Sequence, residues 1–269
     1  MRSTLPTTLA LAICTAFAAT HLDAQQAQAS PEIVAPATAV RTDQPPMIDG
    51  RDDDAVWGKV RSTWQFLEFQ PSVGKAPRYR TEFKVAYDDR NLYVFVRAFD
   101  PHPDSIMTAL TRRDVRGPSD QLKVMIDSYN DRLSGFEFAV NPVGETWDGI
   151  WDVGTTIDSA GWNAEFRIPF SQLRYANAPA HVFGFGVWRD IERYKERTSW
   201  PLFRPTESGI SSQLGRLEGI RDITAFEPDG KPDQRASRSH NGDAAQLGTP
   251  LPASRRRASV RFDAHLALG

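Results

Sequence analysis

The chain has 269 residues, a formal net charge of −2 and a single cysteine. A near-neutral balance gives no electrostatic argument for nucleic acid or anionic membrane as a partner. One thiol excludes a disulfide framework and a thiolate metal site.

Residues 1–29 read as a secretory leader: Arg2 precedes a short apolar run from Leu5 to Ala19, and Ala27-Gln28-Ala29 has the small-x-small spacing of a cleavage site. The run falls short of the roughly 20 residues a membrane span needs. Cys14 lies inside this leader, so the mature chain is expected to lack cysteine. The expected location is exported, periplasmic or in the cell envelope.

From residue 36 to 224 the pattern is that of one domain. "DGRDDDAVWGKV" (49–60) offers an Asp N-cap and one or two amphipathic helical turns, with Val56 and Trp57 facing inward. A period of two then takes over. "TEFKVAY" (81–87) puts Phe83, Val85 and Tyr87 on one face, "DDRN" turns, and "LYVFVRAFD" (92–100) suits a central strand. "QLKVMIDSY" (121–129), "FEFAVN" (136–141) and "GWNAEFRIP" (161–169) alternate in the same way, the last placing Trp162, Ala164, Phe166 and Ile168 inward. "PFSQLRY" (169–175) suits a single helical turn. "VFGFGVWRDIER" (182–193) sets Gly184 and Gly186 opposite Phe183, Phe185 and Val187, which permits a close approach. Many short strands with one or two short helices predict an all-β antiparallel β-sandwich, jelly-roll or immunoglobulin-like. Residues 225–269 are rich in Pro, Gly, Ser and Arg and read as a disordered tail or the start of a truncated barrel, with one weakly alternating stretch, "VRFDAHLAL" (260–268).

The chemistry-bearing residues exclude more than they assign. No nucleophile elbow, H-E-x-x-H or phosphate loop is present, and the five histidines are scattered, so no catalytic set and no metal ligands are assigned. The aspartates of "IDGRDDDAVW" lack the spacing of a calcium loop and are explained by capping. Glu137, Glu145, Asp148, Asp152 and Glu165 could supply the carboxylate pair of a glycoside hydrolase, but nothing in the pattern singles out two of them. The stretch "ETWDGIWDVGTTIDSAGW" (145–162) holds three tryptophans among four acidic residues. In an extended segment Trp147 and Trp151 share a face about 13 Å apart. That suits two rings stacked on successive sugar units, and equally two rings covering a core. Asn141, Glu145 and Arg112, the last in the basic loop "LTRRDVRG" (110–117), are candidate polar contacts.

"PMIDGRDDDAVWGKV", "TEFKVAYDDRNLYVFVRAFDPHPD", "SDQLKVMIDSYNDRLSGFEFAVNPVG" and "GWNAEFRIPFSQLRY" together resemble the family 9 carbohydrate-binding module-like domains. They resemble more closely the N-terminal domain of a bacterial family of unknown function, in which the sandwich precedes an outer-membrane-type β-barrel. The resemblance spans roughly residues 38–222, including "LGRLEGI" (214–220). Here the segment after "NPVG" is shorter than in those relatives, and the barrel is absent. The resemblance implies a β-sandwich, non-catalytic carbohydrate binding and an envelope location, and leaves structural calcium open. The expected molecule is a monomeric, exported glycan-binding module. The alternatives are an envelope docking domain of a truncated outer-membrane barrel protein, and a glycan hydrolase or hydrolase accessory domain.

Overall fold

The computed structural model describes residues 34–109, 117–144, 151–223 and 260–263. Its strands are β1 (Ala37–Arg41), β2 (Leu67–Gln70), β3 (Thr81–Tyr87), β4 (Asn91–Phe99), β5 (Gln121–Asp127), β6 (Ser134–Val140), β7 (Asp152–Asp158), β8 (Gly161–Pro169), β9 (Ala180–Ile191), β10 (Glu196–Trp200), β11 (Gly215–Arg221) and β12 (Val260–Asp263). Among the described residues the helical content is four three-residue 3-10 turns, at Pro103–Ser105, Phe170–Gln172, Glu192–Tyr194 and Ser211–Gln213.

The strands form two faces. Sheet I runs β12-β6-β5-β9-β11-β1, with β10 and β2 continuing from the second half of β9. Sheet II runs β1-β3-β4-β8-β7. β1 joins them: Ala37 and Thr38 pair with β11, while Ala39, Val40 and Arg41 pair with β3. Those two pairings are parallel and the others described are antiparallel. The sheets meet face to face. Phe83 of sheet II lies 5.6 Å from Phe185 of sheet I and 5.0 Å from Trp200, ring centre to ring centre. The fold is thus the expected all-β sandwich, and Trp162, Ala164, Phe166 and Ile168 are fully buried in it.

Each outward face also carries a packed segment. Over sheet II lies a strap, residues 48–60. Val56, Trp57 and Val60 pack on Ala86, Tyr93 and Phe95. The expected helix over 49–60 does not form, although Val56 and Trp57 point inward as the pattern requires. The strap's backbone is taken by a distant partner instead. The N–H groups of Asp49 and Gly50 both donate to Oε2 of Glu165, each at 3.1 Å, and Trp57 Nε1 donates to Oε1 at 2.8 Å. Gly154 permits the contact, because a Cβ there would sit 2.7 Å from the Asp49 backbone. Over sheet I lies the 201–214 segment. Its Phe203 packs on Trp188 at 4.7 Å and on Phe69 at 5.3 Å, and Leu214 fills the space that Gly186 leaves open.

Several strand termini gather at one end of the sandwich. The register brings there the start of β3, the end of β4, the start of β5 and the end of β9.

Candidate functional site

A buried charge network sets the geometry of this end. Arg189 lies on the inward face of β9 and has no exposed surface. An unpaired buried guanidinium is costly, and here it is met on several sides. Nη1 donates to the Arg80 carbonyl at 3.0 Å and to Thr81 Oγ1 at 3.2 Å, and Nη2 donates to the Phe99 carbonyl at 2.9 Å. Burial lowers its pKa to about 10, against the opposing pull of Asp120 and Asp100. Burial likewise pushes Asp120 up to about 6, while the Glu192 N–H that it accepts and the two neighbouring arginines hold it down. Asp100 grips Arg193 with both oxygens, at 2.8 and 2.7 Å. The network therefore fastens the loops that follow β4 and β9 to the start of β3.

On this base stand aromatic rings interleaved with arginines. The Arg193 guanidinium lies 4.8 Å from the Tyr194 ring centre and 5.6 Å from that of Tyr79. Arg78 lies 4.2 Å from the Tyr194 ring and its N–H is held by Glu196. The two tyrosine hydroxyls are 3.4 Å apart, a contact that lowers the pKa of Tyr194 and raises that of Tyr79. Arg80 reaches the ring of Trp64 at 5.9 Å and that of Phe99 at 5.6 Å. Trp64 is 55% exposed and Tyr194 39%. Cation–π contacts of this kind fix the ring planes, with each guanidinium lying over part of a ring face.

The structure treats the residues named from sequence differently. Trp151 is not an open platform. It is 2% exposed, stacked on Phe166 at 5.5 Å and 15°, and edge-on to Phe138 at 5.5 Å, so it closes the gap between the sheets beside β6. Asn141 is also committed to the fold: its Nδ2 donates to the Ala109 carbonyl at 3.2 Å and its Oδ1 accepts the Val143 N–H at 3.2 Å. Trp147, Glu145 and Arg112 lie outside the described residues. Of the carboxylates considered for hydrolysis, Glu165 is sealed beneath the strap and Asp152 is paired with Arg167. Among the described residues, no group of three or more His, Cys, Asp or Glu gathers to hold a metal ion.

The sequence reading missed Trp64, Tyr79 and Tyr194. The signal was present as two short triplets, Arg78-Tyr79-Arg80 and Arg193-Tyr194-Lys195, each a tyrosine between basic residues. Separated by more than a hundred residues, they meet in space.

The comparisons agree with this architecture. A family described as "Carbohydrate family 9 binding domain-like" matches residues 48–200, more than half of the chain. A family 9 carbohydrate-binding module from Caldicellulosiruptor kristjanssonii, in complex with cellotriose, superposes with a TM-score of 0.50 at 20% identity, over 72% of this chain and 100% of that one. A family 9 module from the same organism in complex with glucose gives 0.51 at 18%, over 72% and 100%. A protein from Bacteroides uniformis gives 0.54 at 10%, over 69% and 99%. At these identities the likeness is one of fold. No curated protein matches the chain in sequence.

Proposed function

Since the chain belongs to the carbohydrate family 9 binding domain-like family, we propose that it is a carbohydrate-binding module that grips glycan at one end of its sandwich. The observation that carries this is the aromatic patch. Three rings, Trp64, Tyr79 and Tyr194, are held by arginines at one end of the molecule, two of them well exposed. An apolar ring covers the C–H face of a pyranose, while nearby polar groups bond its hydroxyls. Membership of a family of non-catalytic modules, and the commitment of Glu165 and Asp152 to the fold, both speak for binding without hydrolysis. The leader read from residues 1–29 adds export to this reading, with ligands met in the periplasm or cell envelope.

The test is calorimetric titration of the full chain with cellotriose and with glucose, the sugars seen on the two C. kristjanssonii modules, followed by a glycan array. Trp64→Ala and Tyr194→Ala are each expected to weaken binding about tenfold, near 1.4 kcal/mol, with an unchanged melting temperature. Absence of binding to any glycan, or full affinity in both variants, overturns the reading. Trp147→Ala belongs in the same series, because the sequence marks it as a further candidate ring.

A further inference from the structure

The main path of strands has two ends, and they are finished differently. At one end is β7, which carries Asp152 and Asp158 at its two limits. It also lies against the strap, where a Cβ on Gly50 would sit 2.8 Å from the Thr155 backbone. At the other end β6 is followed by β12. β6 reads Ser-Gly-Phe-Glu-Phe-Ala-Val over Ser134–Val140, with one charge, two phenylalanines, no proline and no lysine. A strand of that composition pairs readily with other extended chain. Edge strands of natural proteins are short, charged, bulged or covered. β6 is neither short nor bulged: it has seven residues, and its register with β5 runs unbroken from Leu122 and Val140 to Ile126 and Phe136.

β12 supplies what β6 lacks. Val260, Arg261, Phe262 and Asp263 pair antiparallel with Glu137, Phe136, Gly135 and Ser134 without a break. Among the described residues this is the only strand pairing that β12 makes. Its four residues include one cation and one anion, so it gives the sheet a short, charged end. It also comes from far along the chain. In the sheet order β12-β6-β5-β9-β11, four strand spacings, about 19 Å, separate it from β11. Residues 224–259 lie between them in sequence, and a stretch of that length reaches on the order of 100 Å when extended. The connection therefore spans the sheet with length to spare, and no tight hairpin turn ties β12 to the strand it covers.

We propose that the outer edge of β6 is a docking site for an extended strand, and that residues 260–263 of the same chain are its occupant, a detachable cap that keeps two copies from pairing edge to edge. The site reads backbone, since strand addition takes its affinity from main-chain hydrogen bonds. One alternate set of β6 N–H and C=O groups serves β5 and the other serves β12. Four residues make few such bonds, and so short a pairing is marginal by itself. Attachment to the same chain raises the effective concentration of the cap and keeps the edge closed to free strands. Once β12 leaves, the uncovered edge matches that of a second copy, with the two β6 strands antiparallel about a twofold axis.

The experiment compares the full chain with its Arg261→Pro/Phe262→Pro variant. Consecutive N–H groups of a strand point to opposite sides, so one of the two prolines removes a donor to β6 whichever residue faces it. Hydrogen exchange, sedimentation and binding of a labelled peptide spanning residues 258–265 are measured on both chains. In the wild type the amides of Ser134–Glu137 are all expected to be protected, and the chain to sediment as a monomer. In the variant one alternate set should exchange at least tenfold faster while the set bonded to β5 keeps its rate, and the chain should sediment as a dimer. The peptide should bind the variant at least tenfold more tightly than the wild type, whose own strand competes for the edge, and return the variant to monomer. Equal peptide affinity for the two chains, unchanged exchange in the variant, or a variant that stays monomeric each overturns the cap. A wild-type dimer overturns occupancy by the same chain. Retained protection of β9 shows that the variant has folded. Exchange on the wild type alone decides the matter if it has not, because free exchange of alternate amides in Ser134–Glu137 overturns the cap without any variant.

Discussion

Glu165 and Asp190 are both buried carboxylates on outward-facing strand positions, one on each sheet, and their surroundings differ. Glu165 is closed over by its own chain: two backbone N–H groups and an indole N–H fill its oxygens, and the strap that supplies them also supplies Val56, Trp57 and Val60 as a lid. Asp190 is supported from below by Lys123 and looks across a cleft toward side chains of neighbouring strands. A carboxylate completed by backbone N–H groups is a fastening, because those donors cannot leave without moving the chain. One met by side chains, as Asp190 is by Lys123 with Arg197 3.9 Å away, ties neighbouring strands to one another instead. The same residue type, at the same kind of strand position, holds a strap on one sheet and links side chains of neighbouring strands on the other.

The largest expected effect breaks the fastening. Trp57 is fully buried, packs on Phe95 at 5.7 Å and donates to Glu165. Trp57→Ala removes that packing and leaves the carboxylate short of a donor, so a loss of about 3–5 kcal/mol is expected. Urea denaturation measures it. If strap and binding end are separate devices, the folded fraction of this variant binds sugar with wild-type affinity; a parallel loss of affinity breaks the distinction.

The second effect is a pH dependence with an unusual sign. Burial raises Glu165 from 4.5 to about 7, against the hydrogen bonds that favour its charged form. A carboxyl whose folded pKa lies above its unfolded value binds its proton more tightly in the native state. Its contribution is therefore fully present below pH 4.5 and is lost as the pH rises through 7. The size is about 2–3 kcal/mol, from 1.36 kcal/mol per pKa unit with allowance for residual solvent access. Glu165→Gln should flatten stability between pH 4.5 and 7. A profile equally steep in the variant would assign the dependence elsewhere, with Asp120, raised to about 6, as the next group to test.

Much of the sandwich was legible in the sequence where a strand is long and one face is buried. The alternation of Thr81–Tyr87 and Gly161–Pro169 marks β3 and β8 at their observed bounds. β7 escaped because its residues are half-buried almost throughout: it is an edge strand, and Gly154 gives way to the strap. β10 escaped because its buried residues include Glu196, Thr198 and Ser199, polar groups at the charged end of the fold. The strap read as a helix since its acidic run looks like a cap, while the group that shapes its backbone lies more than a hundred residues away. The site shows the same limit. Trp147 and Trp151 sit four apart, which predicts a shared face, but spacing cannot say whether a ring meets solvent or core, and Trp151 meets Phe138 and Phe166. The two Tyr triplets were readable as a pattern, but their convergence depends on the sheet-to-sheet packing in which Arg189 of β9 bonds the Arg80 carbonyl and Thr81 at the start of β3.

The smallest expected effect supplies the other limb of the pH profile. Arg97 on β4 forks onto Asp158 at the end of β7, with Nη1 to Oδ2 at 2.6 Å and Nη2 to Oδ1 at 2.9 Å, and Nη1 also donates to Asn163. The Arg97 hydrogen bond is the main cause holding Asp158 below its ordinary 3.8. The sign is the reverse of that for Glu165: the stabilisation is present above pH 3.8 and is lost as the pH falls through the lower, folded value. The pair is partly exposed, so its size follows that of surface ion pairs, about 0.5 kcal/mol and weaker at high salt. Asp158→Asn should therefore cost little at pH 7 and remove part of the acid limb, while Glu165→Gln acts only on the limb above pH 4.5. A double variant whose two effects add confirms that edge and strap respond to pH independently, as expected for sites without shared partners. Non-additive values would mean that the strap, which reaches β7 through Thr156 and the Asp49 carbonyl, couples them.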